Sequence, residues 1–215
     1  RVADIILLNN SFTSLPLGMK LGNRIMQAIE VIATLFFHKI IYGVVLLAVT
    51  LALGVVHPYA PRHITFLNIF LVTMPTIMWT LFPPRPQHRI DPKYFWRDTL
   101  GAVAPIALLS GVAVTVTYLL LHWLHPQDSA MVSTITVLTA TFFGVYLVFL
   151  AGPMLGVVFD KRATIARSLY LTATAGVVLV SFGVQILRRF FDFAYPDIEM
   201  VAVALLAIAI IAPIH

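Results

Sequence analysis

Apolar residues run in long blocks along this chain, and short segments rich in proline, histidine and charge cut the blocks apart. A helix that crosses a bilayer needs about 20 predominantly apolar residues. Six stretches reach or approach that length, at about 35–56, 64–82, 99–121, 131–158, 167–187 and 198–214, the last being short. The breaks read "HPYAPRH", "PPRPQHRIDPKYFWRD", "HWLHPQDS", "DKRATIAR" and "RRFFDFAYPD", which carry turn and charge signals. The pattern predicts an all-α polytopic membrane protein built as a bundle of six transmembrane helices.

Two regions depart from that rhythm. Residues 1–22, "RVADIILLNNSFTSLPLGMKLG", hold an alternating apolar run, a polar turn and a short helix-like piece, and read as the tail of something soluble. Residues 21–56 then contain no proline for 36 positions. As one helix they would span about 54 Å, against about 30 Å of hydrocarbon. Their first half places Asn23, Gln27, Glu30 and Thr34 at helical spacing among Ile25, Ile29, Ile32 and Ala33. That spacing predicts an amphipathic stalk standing out of the bilayer and feeding the first span.

Composition removes the soluble alternative. Of 215 residues 60% are hydrophobic and 11% charged, and the mean hydropathy is +0.95. A soluble core of this size has no use for that much apolar surface. The net charge of +5 does not predict nucleic-acid binding, because the basic residues sit between apolar runs and form no stripe for a phosphate backbone. They act as topology signals instead. With the N-terminus cytoplasmic, the inner segments hold ten basic residues: Arg1, Lys20, Arg24, Arg85, Arg89, Lys93, Arg97, Lys161, Arg162 and Arg167. The outer segments hold three, Arg62, Arg188 and Arg189, while Lys39 lies within a span. Cysteine is absent, so no disulfide framework or thiolate metal site is expected. The N-terminal segment lacks the charge and apolar pattern of a signal peptide. No internal repeat of the inverted-transporter kind is visible.

"VADIILLNNSFTSLPLGMKLGNRI" resembles the P-type ATPase segment where the phosphorylation domain ends and the fifth transmembrane helix begins. The family pattern is approximately A-S-D-x-V-L-x-D-D-x-F-x-x-I, then G-R-x-x-x-x-N. Ala3, Asp4, Ile6, Leu7 and Phe12 fall in register, Asn9 and Asn10 stand in place of two aspartates, Gly22 matches, and the arginine is displaced by one to Arg24. "FLNIFLVTMP" is similar to the sixth-helix motif, approximately W-V-N-L-x-T-D-x-x-P, with Asn68 and Pro75 matching. "LFFHKIIY", "PRHITFLN" and "LFPPRP" look most like the bacterial cation-pump branch that includes a mycobacterial calcium transporter. The match is good over residues 1–90 and rests mainly on helix count beyond them.

The resemblance implies that the six spans are helices 5 to 10 of an ATP-driven pump and that residues 1–22 close its phosphorylation domain. It implies ATP and Mg2+, bound by domains outside this chain, and a transported cation with Ca2+ as the first candidate. It implies the lipid bilayer, and the upstream part of the same polypeptide (helices 1 to 4 with actuator, nucleotide and phosphorylation domains), as partners. The expected location is the plasma (inner) membrane. The phosphorylation motif D-K-T-G-T is absent. "DKRAT" at 160–164 lacks its glycine and its preceding strand, so it reads as an ordinary basic loop. No nucleotide-binding glycine motif is present either. No residue of this chain is therefore expected to be catalytic.

Relative to the calcium- and sodium-pumping members, Gly43 replaces the helix-five glutamate, and Leu71 and Val72 replace the helix-six threonine and aspartate. A site on that plan retains Asn68 alone as a metal ligand. Lys39, beside His38 near midmembrane, is the leading transport-site candidate, because a lysine there costs roughly 2.5–3.5 kcal/mol on insertion scales. It would act as a built-in counter-cation or pair with an acid of the absent fourth helix; snorkelling towards the headgroups is the plainer alternative. Asn68, buried in an apolar helix, needs hydrogen-bond partners or an ion. Pro75 frees carbonyls, and Tyr42, Thr73 and Thr76 offer hydroxyls. "STITVLTAT" (133–141) is expected to glue helices together. Trp79, Phe82, Tyr94, Phe95, Trp96 and Trp123 are expected in interfacial belts. His57, His63, His122 and His125 flank outer loops without metal-binding spacing. The competing readings are a P-type pump for a lipid or polyamine, and a free-standing six-helix accessory protein or channel.

Overall fold

The computed structural model describes Phe12 and residues 15–83, 91–156 and 158–211. The alternating apolar run that opens residues 1–22, Arg85 and Arg89, and the end of the last expected span lie outside the described residues. Within them run α1 (Leu15–Leu53), α2 (Pro61–Leu81), α3 (Phe95–Leu124), α4 (Ser129–Met154), α5 (Lys161–Gly183), α6 (Gln185–Phe191) and α7 (Ile198–Ile211). α1 to α5 are long and apolar enough to cross a membrane. α7 has 14 residues, which at 1.5 Å per residue is about 21 Å. The protein is an all-α polytopic membrane protein.

Helix ends follow from local chemistry. α1 stops at Gly54, whose φ of +66° is open to glycine at no steric cost. There Val55 N–H donates to Thr50 O (3.0 Å) and Gly54 N–H to Leu51 O (3.2 Å), the paired bonds that close a helix through a left-handed residue. α5 begins at Asp160, whose carboxylate accepts from Ala163 N–H at 2.9 Å. The aspartate of "DKRAT" is thus a helix cap.

α4 is the central helix, with 72% of its most apolar stretch enclosed against 22% for α5. One core cluster joins Tyr42, Leu46, Phe66, Phe70, Val114, Ile135 and Phe143 with Phe191 and Phe193. The other joins Val31, Leu35, Met78, Trp79, Leu147, Ala166 and Tyr170. α1 packs along α3, and Gly111 makes the contact close: a Cβ there would lie 3.1 Å from Tyr42 Cα and 3.0 Å from Val45 Cβ.

The packed face of α1 is a new finding, and two expectations, on the threonines and on the aromatic belt, are corrected. The polar stripe of the stalk faces inward: Gln27, Glu30 and Thr34 are buried, while Ile25, Ile29 and Phe36 are exposed. The amphipathic pattern is real, but its apolar face points out of the chain and its polar face packs. The threonines of 133–141 mostly serve their own helix. Thr134, Thr136, Thr139 and Thr141 each donate to the carbonyl four residues back, at 2.7–2.9 Å, and Thr134 Oγ1 also accepts from Ala194 N–H. Trp79 is no belt residue: it is fully buried and stacks on Phe159 at 4.7 Å. Phe95 is buried too, whereas Trp96 and Trp123 are exposed as a belt requires.

Candidate transport site

α2 is broken in its middle. Residues Ile69–Thr73 form a π-helical turn between the α-helical halves Pro61–Asn68 and Met74–Leu81. Pro75 explains the position, since it has no N–H to donate back into the preceding turn. The wider turn carries a bond from Met74 N–H to Ile69 O, five residues back. Single π turns inside α-helices are frequent at functional sites.

Asn68 sits at the entrance to this turn, and Lys39 of α1 reaches it: Lys39 Nζ donates to Asn68 Oδ1. The two leading candidates, 29 residues apart in sequence, are thus brought together across a helix seam. The expectation that Asn68 is buried is corrected, because within this chain it is exposed while Lys39 is half-buried. Its need for a partner is met by the ammonium. An ammonium–amide bond here satisfies the cation without a carboxylate, and charge-assisted bonds are stronger than neutral ones.

Next to Lys39 on α1, His38 is buried and its Nε2 lies 3.0 Å from Ser110 Oγ of α3. Ser110 Oγ donates to Ile106 O at 2.9 Å, so the hydroxyl proton is engaged and His38 Nε2–H is the donor to Oγ. That arrangement ties α1 to α3 beside Lys39. Tyr42 meets the His38 ring edge-on at 5.4 Å. Its phenol is buried with no hydrogen-bond partner among the described residues.

The remaining candidates separate. Pro75 is buried, Thr73 is exposed, and Thr76 is half-buried, its carbonyl accepting from Thr80 Oγ1 at 2.8 Å. The Lys39–Asn68 bond involves neither threonine. The four histidines do not gather: His63 Nδ1 accepts from Ala60 N–H and its ring stacks on Phe193, while His57 Nδ1 lies 3.4 Å from Thr50 Oγ1. Among the described residues no cluster of three or more His, Asp or Glu is placed to hold a metal ion. In the segment between α1 and α2, burial holds the His57 imidazole below its ordinary pKa and pushes the Tyr59 phenol well up, so both are neutral near pH 7.

Sequence reasoning missed three residues that shape the seam. Ser110 partners His38. Gly144 of α4 lies against Leu71, where a Cβ would come within 2.6 Å of the leucine side chain. Tyr170 of α5 donates to Phe70 O at 2.9 Å. None carries a local motif; each is recognisable only once the helices are packed.

No family model matches the chain. It is 32% identical over 156 residues to calcium-transporting ATPase CtpE of Mycobacterium bovis and of Mycobacterium tuberculosis. It is 29% identical over 152 residues to the protein of that name in Mycolicibacterium smegmatis. Each match covers 64% of the chain, and the chain spans about a fifth of the length of these relatives, 19%. On this likeness the chain resembles one part of these calcium-transporting ATPases.

Proposed function

We propose that the chain is the membrane-domain part of an ATP-driven P-type pump in the plasma membrane, and that the Lys39–Asn68 seam is its cation site. The observation that carries this is the Lys39 ammonium on Asn68 Oδ1 at the edge of a π turn. The pairing sets a fixed cation against the only side-chain oxygen retained from the sixth-helix motif. Calcium is the cargo named for the relatives and is the first candidate here. A hard cation takes oxygen ligands. At this seam these would be Asn68 Oδ1, carbonyls of the π turn, and carboxylates from the upstream part of the polypeptide.

The mechanism is a competition for one oxygen. The arriving cation takes Asn68 Oδ1 and displaces Lys39 Nζ. After release, the ammonium returns and neutralises the emptied site, so no second ion is needed for the return step. Aspartyl-phosphate chemistry, ATP and Mg2+ belong to cytoplasmic domains outside this chain. A charged lysine without a partner is costly in the membrane interior, so its return is favourable.

Lys39→Ala in the full-length polypeptide tests the reading. The expected result is normal expression, phosphoenzyme that accumulates, and loss of calcium-stimulated ATP turnover. Near-normal turnover refutes the role of Lys39.

A further inference from the structure

The carbonyl of Phe70 cannot be served by its own helix. In the α register its donor is Met74 N–H, which donates to Ile69 O instead. In the π register its donor is residue 75, which is proline and has no N–H. A buried backbone carbonyl without a partner carries a desolvation penalty. Tyr170 of α5 supplies the missing donor, its hydroxyl 2.9 Å from Phe70 O in a buried contact. On the neighbouring residue, Leu71 is buried and its side chain fills the space left by the absent Cβ of Gly144. The π turn is therefore held from two helices, by a hydrogen bond from α5 and by packing on α4.

The register decides where Asn68 points. A helix of 3.6 residues per turn advances about 100° per residue. Losing the extra residue of the π turn would swing Asn68 by about that angle relative to the Met74–Leu81 half, and away from Lys39. Resting on the transport-site reading above, we infer that Tyr170 is a positioning residue of the pump: its hydroxyl fixes the π register of α2 and so holds Asn68 against Lys39.

Two variants of the full-length polypeptide test this. In Tyr170→Phe, hydrogen exchange over residues 69–76 quickens about tenfold, the loss of one buried hydrogen bond, and the calcium concentration for half-maximal phosphorylation rises about threefold or more. In a Pro75→Ala background, residue 75 regains an N–H that serves Phe70 O, and adding Tyr170→Phe then changes neither quantity. The inference is overturned by unchanged exchange in Tyr170→Phe, or by an effect of equal size with and without Pro75. Faster exchange with an unmoved calcium requirement overturns the positioning role as well. Failure of the transport-site reading registers separately, as normal turnover in Lys39→Ala.

Discussion

His38 and Ser110 illustrate how single side chains set the geometry around Lys39. Ser110 Oγ gives its proton to Ile106 O and receives one from His38, so both polar groups are satisfied in an apolar interior. Ser110→Ala leaves the His38 N–H buried without its partner. The expected cost is about 1–3 kcal/mol, read as a lowered unfolding midpoint of the protein in detergent; an unchanged midpoint contradicts the bond. At this scale the sequence was informative about residue types. Lys39 and Asn68 stand out because charged and amide groups are costly in apolar helices. Their pairing was not legible, since it depends on how α1 and α2 cross. The burial expected for Asn68 failed for the same reason: an apolar neighbourhood in sequence does not say which side of a helix is covered.

Among the elements, the α1–α3 contact and the broken α2 position the seam. Gly111 lets α1 approach so closely that a methyl group would sit 3.1 Å from Tyr42 Cα, a backbone atom that cannot turn aside. Gly111→Ala should push α1 from α3 and destabilise the fold by about 1–3 kcal/mol, the usual range for overpacking. Unfolding measurements check this, and a neutral or stabilising outcome contradicts the close approach. The break in α2 was legible as Pro75, because the missing N–H is a property of the residue. The π register was not, since it is settled by Tyr170 and Gly144, about 100 and 70 residues further along. The inward-facing polar stripe of α1 is a related case. Periodicity finds an amphipathic helix but does not say which face is packed, and here Gln27, Glu30 and Thr34 are enclosed.

For the whole molecule, long apolar blocks specified the class of fold, because few structures other than membrane helices accommodate them. Five long helices and the short α7 stand where six spans were expected. Large exposed apolar side chains such as Leu51, Leu169 and Ile186 fit a lipid-facing exterior. A likeness to P-type ATPases was legible in two short motifs around Phe12 and Asn68, and the similar proteins match over 64% of the chain. The cargo was not legible, because on the pump plan that the motifs resemble the two acidic positions are Gly43 and Val72 here. The central claim, that Asn68 is a cation ligand at the Lys39 seam, is tested most directly by the calcium dependence of phosphoenzyme formation in full-length Asn68→Ala. A half-saturating concentration raised about tenfold, the loss of one ligand bond of about 1.4 kcal/mol, is predicted; a value equal to that of the unaltered protein would contradict the account.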